Sequence, residues 1–303
     1  MTESGALADR AVLERMNRTM IHRGPDDEGY LVSGPVGIAM RRLSIIDLES
    51  GFQPICNEDK TIWIVFNGEI YNHPELRSEL ASKGHVFRTR SDTEVILHLY
   101  EEVGDSCVNR LNGMFAFAIW DSVRHVVFIA RDRLGIKPLF YSYERGAGFY
   151  FGSEIKALLE APISRKPDYQ SLYDYLSLMY VPTPATAFAA IRKLPPGHTL
   201  TCSQDGLTIR QYWDIPLPAE GEEGSGKWEF EEEILHLVQT AVQRQMISDV
   251  PIGALLSGGL DSTTVAAVMA RKLGMPLRTF TIGFDKKSYD ESEEARFVAQ
   301  TLG

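Results

Sequence analysis

Cysteine is scarce. Three residues, Cys56, Cys107 and Cys202, stand in a chain of 303. They are widely spaced and odd in number, and no CxxC or Cys/His metal spacing appears. That excludes a disulfide framework and a cysteine-based metal site, and it fits reduced thiols in the cytoplasm. Long apolar runs are also missing. None approaches the ~18–20 residues of a membrane span, and the start, MTESGALADR, lacks the apolar centre of a signal peptide. Basic excess is missing too. With 31 Lys and Arg against 41 Asp and Glu, the net charge is −10, which argues against nucleic acid or an anionic membrane as the main partner. What remains is ordinary for a folded chain: 44% hydrophobic and 24% charged residues, at a length that allows about two domains.

The first two-thirds mixes helices with hairpins. Val12, Met16 and Met20 make a helical stripe within 8–20, and His22 to Gly29 is a Gly/Pro/Asp loop. Val36 to Ile46 reads as a strand broken by Arg41 and Arg42. Thr61 to Phe66 is a buried strand that ends in an Asn67-Gly68 turn. Asn72 and Glu75 form a capping-box variant at the start of a helix that Gly84 stops. Asp92 opens another helix as its N-cap, with Val95, Ile96, Leu99 and Tyr100 inside. Met114 to Trp120 and Val126 to Arg131 pair as a hairpin, and Phe149 to Ser153 is a further strand. This pattern predicts an α+β layered domain.

Character changes at Pro216 to Glu233, where prolines and glycines give way to acidic residues. We read a linker over 213–228 that leads into a helix. Beyond it the order is strand (250–256), helix (261–272), strand (277–283), helix (290–302), the βαβ start of a parallel α/β sheet. Two such strands do not close a core, so the second domain is expected to be incomplete in this chain.

At the first of those strand ends lies LLSGGLDSTT, Leu255 to Thr264. A strand, a Gly-rich turn and a helix start together make an anion site of free N–H groups and a favourable helix dipole. Gly258 and Gly259 permit close backbone approach. Ser257 and Ser262 supply hydroxyls, and Asp261 can hold Mg²⁺ or cap the helix. GxxxxGK[ST] is not present, so this is not a Walker loop. SGGLDS resembles the pyrophosphate loop of the ATP pyrophosphatase superfamily, whose members form acyl-adenylates.

HRGPDDEG (22–29), RRLSIIDL (41–48), FNGEIYN (66–72), RSDTE (90–94), LNGMFAFAIWD (111–121), ARDRLGIKPLFY (130–141) and KLPPGH (193–198) precede that loop in order. The ordered set resembles the glutamine-hydrolysing asparagine synthetase family over almost the whole chain. The resemblance implies two folds in series. Residues 1–212 would be a class II glutaminase, an N-terminal-nucleophile αββα sandwich. Residues 229–303 would be the first part of an α/β parallel-sheet synthetase domain of the adenine nucleotide α-hydrolase type. The implied reaction uses Mg·ATP to adenylate aspartate, and ammonia from glutamine then displaces AMP. Glutamine, aspartate and ATP are the implied small-molecule partners, in a cytoplasmic enzyme whose family often forms homodimers.

By that resemblance the side chain of Asn67 and the N–H of Gly68 form the oxyanion hole that a tetrahedral intermediate requires. Arg42 clamps the glutamine carboxylate, and Asp92 and Glu69 take its ammonium. Leu256, Ser257, Gly258, Gly259, Asp261 and Ser262 hold ATP phosphates. Ile282, in TFTIGF (279–284), reads the adenine edge, and Asp261 is the Mg²⁺ candidate. Each has a plainer alternative on its own: Asn67-Gly68 a hairpin turn, Arg42 a surface ion-pair partner, Asp92 a helix cap. His22 is read as structural and the Phe115, Phe117, Trp120 cluster as core.

One departure stands out. The family's nucleophile is an N-terminal cysteine followed by an apolar strand, whereas Met1, Thr2, Glu3, Ser4 and Gly5 stand here. The three cysteines are internal, and Thr2 is a poor substitute. Loss of such a nucleophile costs on the order of 10⁶ in turnover, so this chain as written is expected to have no useful glutaminase activity and to be a segment truncated at both ends. Two alternatives remain: an adenylating ligase of the β-lactam synthetase or lasso-cyclase type, and a non-catalytic glutamine-binding or scaffold subunit.

Overall fold

Alternating apolar residues in 62–70 and 113–121 dictate two long strands that bury both faces, and these form the centre of the molecule's first unit. The computed structural model describes residues 1–2, 6–217, 229–274 and 277–303. Two compact units separate at Pro216. Residues 218–228 of the expected linker lie outside the described residues.

In the first unit the elements run α1 (Arg10–Arg18), β1 (Asp27–Ser33), β2 (Val36–Arg42), β3 (Ile55–Cys56), β4 (Ile62–Ile70), α2 (His73–Ser82), α3 (Asp92–Val103), β5 (Gly113–Asp121) and β6 (Val126–Arg131). They continue as β7 (Phe140–Glu144), β8 (Gly148–Gly152), α4 (Ile155–Leu158), α5 (Tyr169–Leu178), β9 (Arg192–Lys193), β10 (His198–Ser203) and β11 (Gly206–Gln211). The main sheet has six strands in the order β11-β10-β6-β5-β4-β3, every pairing antiparallel. A three-stranded sheet, β8-β7-β9, and the β1-β2 hairpin complete the strands.

The period-two alternation of β4 and β5 decides the layering. Ile64, Phe66, Phe115 and Phe117 point to one face, where Leu76 and Leu80 of α2 and Val95, Ile96 and Leu99 of α3 cover them. Val65, Ala116, Ala118 and Trp120 point to the other face, against Val36 and Ile38 of β2 and Phe149 of β8. Outside these strands α1 packs on β2 and α4 on β7 and β8. Helix, sheet, sheet, helix is the αββα arrangement, a mixed α/β fold with antiparallel sheets.

Local expectations needed four corrections. Asn67 and Gly68 lie inside β4, paired with Ala116 and Phe115, and not in a turn. The ladder continues because β5 offers partners as far as Gly113. Ser91, not Asp92, caps α3, its hydroxyl accepting from Thr93 N–H at 3.2 Å. Asn72 makes no side-chain cap on α2. Its amide bonds Arg110 O and Asn112 N–H instead, at 2.9 Å each. Arg41 and Arg42 end β2 without breaking it, and 43–46 is irregular.

The second unit comprises α6 (Glu229–Arg244), β12 (Gly253–Leu255), α7 (Leu260–Ala267), β13 (Arg278–Phe280) and α8 (Ser292–Leu302). Strands β12 and β13 pair in parallel through α7, as expected of a βαβ start. They are shorter than the sequence implied, with the helix after α7 continuing as one π-helical turn over 268–272. Among the described residues the cores are small, around Val242, Val268 and Met269 and around Leu256, Ala266 and Ala295. Among the described residues no helix is long and apolar enough to cross a membrane.

Candidate functional site

Where β4 leaves the core, the first unit opens a cavity of about 450 Å³. Arg42, Asn67, Gly68, Glu69 and Asp92 all line it, so the five glutamine-site candidates, drawn from three separate segments, are brought together.

Asn67, Gly68 and Glu69 arrive on the last turn of pleat in β4. A Cβ on Gly68 would overlap the Met114 carbonyl oxygen and stand 2.8 Å from Phe115 Cα. Only glycine lets the two strands pair this closely. Just before Asn67, Phe66 stands opposite Phe117 of β5, and its N–H and C=O on the other edge are held by a side chain rather than a strand. Gln53 Oε1 accepts from Phe66 N–H at 2.7 Å, and Gln53 Nε2 donates to Phe66 O at 3.1 Å. Gln53 is buried and itself lines the cavity.

Asp92 enters from the first turn of α3. Its Oδ2 accepts from Ile70 N–H at 2.8 Å, which ties the helix to the end of the strand. Burial pushes its carboxyl up to about 6, against the lowering effect of the hydrogen bonds from the Ile70 and Thr93 N–H groups and Ser91. Glu69 is pushed further, to about 8. Burial is the main cause, the charge of Asp92 adds to it, and Lys137 and Arg42 act against it. Glu69 Oε2 is buried with no hydrogen-bond partner. Two carboxylates facing one desolvated space cannot both ionise cheaply without a cation between them.

Arg42 supplies the opposite charge. It is buried, and its Nη2 donates to Ile46 O and Asp47 O at 2.7 Å each. Its Nη1 is buried with no hydrogen-bond partner. The loop that receives Arg42 is tight: a Cβ on Gly51 would stand 3.0 Å from the guanidinium carbon. Asp47 fixes the loop by accepting from Ser50 N–H at 3.0 Å, Ser50 Oγ at 2.6 Å and Arg90 N–H at 2.8 Å. The cavity therefore holds an unpartnered cationic donor and an unpartnered carboxylate oxygen, the pattern an α-amino acid would complete.

Lys137 and Gln53 also line this space, and sequence reasoning did not single them out. Lys137 stood within a quoted motif, and the structure explains that motif. Asp132 accepts from the N–H groups of Ile136 and Lys137 at 2.9 Å. Arg131 donates to Gly135 O and Lys137 O at 2.8 Å. ARDRLGIKP is thus a self-fastened loop that delivers Lys137. Gln53 carried no signal, because nothing local marks a glutamine that imitates a strand.

The cysteines lie elsewhere. Among the described residues that line the cavity there is no thiol. Cys107 and Cys202 are buried in cores on opposite faces of the main sheet. Burial raises the thiols of Cys56 and Cys107, the reverse of a nucleophile's environment. Met1 and Thr2 reach the cavity wall, Phe149 N–H donating to Met1 O and Thr2 N–H to Pro35 O, each at 2.9 Å. The Thr2 hydroxyl bonds the Ala6 carbonyl. His22 bonds Glu154 at 2.8 Å and does not line the cavity, in keeping with a structural residue.

In the second unit the predicted phosphate loop connects β12 to α7. Leu256 is buried, its N–H donating to Phe280 O at 2.9 Å. The Ser257 and Ser262 hydroxyls meet at 2.9 Å, and Ser262 Oγ accepts from Ser257 N–H at 3.2 Å. Gly258 has φ +83, and a Cβ there would stand 2.6 Å from Glu294 Cβ, so α8 packs directly on the loop. Gly259 is the N-cap of α7, and Asp261 is exposed in its first turn. Ile282 lies beyond the end of β13 and is 70% exposed, so the strand predicted over 277–283 is shorter than expected.

Comparison with known proteins gives the same division. Residues 3–213 match the family model of the glutamine amidotransferase domain, and residues 233–303 match that of asparagine synthase. Asparagine synthetase [glutamine-hydrolyzing] 1 of Bacillus subtilis is 42% identical over 96% of this chain and 46% of its own length. Asparagine synthetase [glutamine-hydrolyzing] 3 of the same organism is 43% identical over 92% and 46%. A putative asparagine synthetase [glutamine-hydrolyzing] 2 of Methanocaldococcus jannaschii is 39% identical over 94% and 59%. The chain thus spans about half the length of the curated relatives it matches.

Proposed function

The chain belongs to the glutamine-hydrolysing asparagine synthetase family, and on that premise we propose that residues 1–212, within its first unit, form a glutamine site serving an ATP-dependent amidation of aspartate. Residues 229–303 are the start of the unit that activates the acid, joined through 213–228. The observation that carries this reading is the pairing, in one cavity, of the unpartnered Arg42 Nη1 with the unpartnered Glu69 Oε2 beside Asp92.

Arg42 receives the α-carboxylate of glutamine. Its planar fork can serve that ligand with one nitrogen while the other stays anchored to Ile46 and Asp47. Asp92 and Glu69 receive the α-ammonium, whose charge relieves their mutual repulsion. Asn67 and the N–H of Gly68 face the amide carbonyl and stabilise the oxyanion that forms on attack. Neither donor needs to move at that moment, because both residues are fixed in the β4–β5 ladder, opposite Ala116 and Phe115. Cleavage of the C–N bond would require a nucleophile to attack that carbonyl and take the acyl group as ammonia leaves; among the described residues that line the cavity there is no thiol to do so, so the site holds glutamine without cleaving it.

In the second unit Leu256, Ser257, Gly258, Gly259 and Ser262 would hold the phosphates of ATP, with Ile282 against the adenine. Asp261 would hold Mg²⁺, which supplies charge neutralisation at the phosphates. An exposed carboxylate beside two hydroxyls is a hard oxygen donor set, which suits that ion. The same reading places the enzyme in the cytoplasm as a homodimer.

Polypeptide 1–303 is expected to bind L-glutamine at micromolar to millimolar concentration without releasing ammonia. Calorimetric titration with a parallel ammonia assay tests this. Binding of D-glutamine as tight as that of the L form, or rapid ammonia release, would overturn it.

A further inference from the structure

Glu58 in the turn between β3 and β4, His85 in the loop after α2, and His98 within α3 each offer a ligating atom within 4.8 Å of the other two. They come from three separate segments, so no spacing in the sequence announces them.

His98 is the anchor. It is 1% exposed. Glu101 Oε2 holds its Nδ1 at 2.6 Å, and Asn57 in turn donates to Glu101 Oε1 at 2.9 Å. The other ring nitrogen, Nε2, is buried with no hydrogen-bond partner. Glu94 Oε1 lies 3.8 Å from it, within ion-pair reach but too far for a hydrogen bond, and accepts from Arg88 N–H at 2.8 Å. Leaving an imidazole nitrogen buried and idle is costly. A histidine oriented by a carboxylate through one nitrogen, with the other free, has the arrangement that metal-bound histidines almost always show.

The neighbourhood completes the case. The rings of His85 and His98 lie 4.7 Å apart, and Glu102 Oε1 is 3.1 Å from His85 Nε2. Four carboxylates, of Glu58, Glu94, Glu101 and Glu102, surround the two imidazoles. Lys83 is shared between Glu79 and Glu102. A doubly charged cation would offset this local excess of negative charge.

We propose that Glu58, His85 and His98 bind a divalent transition-metal cation of the zinc class, which pins the loop carrying His85 to α3. Two imidazoles and one carboxylate favour zinc over magnesium or calcium. Bonds of about 2.0–2.2 Å require the three groups to draw closer than they stand, and the exposed Glu58 side chain has room to move. The cation braces the helix whose first residue is Asp92, some two turns from His98.

The test uses untagged, chelator-stripped full chain titrated with Zn²⁺ alone. One equivalent is expected to bind and to raise the melting temperature. Glu58→Gln and His85→Ala should each weaken binding about tenfold or more and cancel that rise. Both sites reach the surface, and circular dichroism checks that the variants fold. Binding to wild type no tighter than to the E58Q/H85A double variant would overturn the proposal. Cobalt(II) provides a readout that needs no variant. Visible absorption of low-coordinate, histidine-ligated cobalt is expected, and the spectrum of the hydrated ion would overturn it.

Discussion

Asp92 and Ile70 are joined by a hydrogen bond of 2.8 Å, from a strand-end N–H to a helix-start carboxylate. The bond gives one carboxylate two duties. Oδ2 closes the end of β4, and the rest of the charge faces the cavity.

These duties separate by substitution. Asp92→Asn keeps an oxygen to accept from Ile70 N–H but removes the charge. Glutamine affinity is expected to fall about 30- to 100-fold, the worth of a charge-assisted contact, with a small change in melting temperature. Asp92→Leu leaves the Ile70 N–H buried and unpaired, and should cost a further 1–3 kcal/mol, roughly, in stability. Calorimetry and thermal denaturation of both variants check this. An equal stability loss in the two would contradict the division.

The raised carboxyls of Asp92 and Glu69, about 6 and about 8, make glutamine binding depend on pH. A ligand ammonium favours their ionised forms. Affinity should therefore rise as pH increases from 5 to 8, and binding at pH 7 should expel protons. Titration at one pH in buffers of different ionisation heat measures that release directly. The stability effect has the opposite sign. Between roughly the unperturbed value of Glu69, about 4.3, and its folded value of about 8, the folded state holds more protons than the unfolded state. Stability from this pair is thus lost as pH rises through that window. Glu69→Gln should be more stable than wild type at pH 8 by up to about 4 kcal/mol, and equal to it at pH 4. No difference at pH 8 would sink the argument.

Much of this was legible in the sequence, and the limits have physical causes. Strand alternation located β4, β5 and β6 because period-two burial on both faces leaves a strong pattern. The ordered motifs named Arg42, Asn67, Gly68, Glu69 and Asp92, and one cavity unites them. Local signals misled where a distant partner overrode them. Asn67-Gly68 has turn chemistry, yet β5 extends the ladder across it. Asn72 has a capping side chain, yet Arg110 and Asn112 engage it. Gln53, Lys137 and the Glu58–His85–His98 group were invisible because their meaning lies in contacts between remote segments.

Gly68 offers a test of the strand pairing that is independent of any ligand. An alanine Cβ would collide with backbone atoms of Met114 and Phe115, which cannot step aside without parting β4 from β5. Gly68→Ala is expected to destabilise the first unit by about 4 kcal/mol or more. Gly146→Ala, where a Cβ would meet open space, has only its positive φ of +85 to contend with and should cost about 1–2 kcal/mol. Denaturant midpoints of the two variants measure the contrast. Similar midpoints would mean that the strands are not held this closely.

Arg42→Lys keeps the charge and removes the geometry. The arginine holds Ile46 O and Asp47 O through one nitrogen and leaves the other buried and unpartnered in the cavity. An ammonium is a single point and cannot anchor to both carbonyls while reaching a carboxylate. The variant should bind glutamine about 100-fold more weakly, a loss of roughly 3 kcal/mol, the upper range for a hydrogen bond to a charged group. Losing donors to two loop carbonyls should also cost about 1–3 kcal/mol of stability. Glutamine amide analogues that lack the α-carboxylate discriminate the cause. Wild type and Arg42→Lys should bind them equally poorly if this guanidinium receives the carboxylate. A persistent 100-fold gap with those analogues would place the carboxylate elsewhere in the cavity and assign Arg42 to the loop alone.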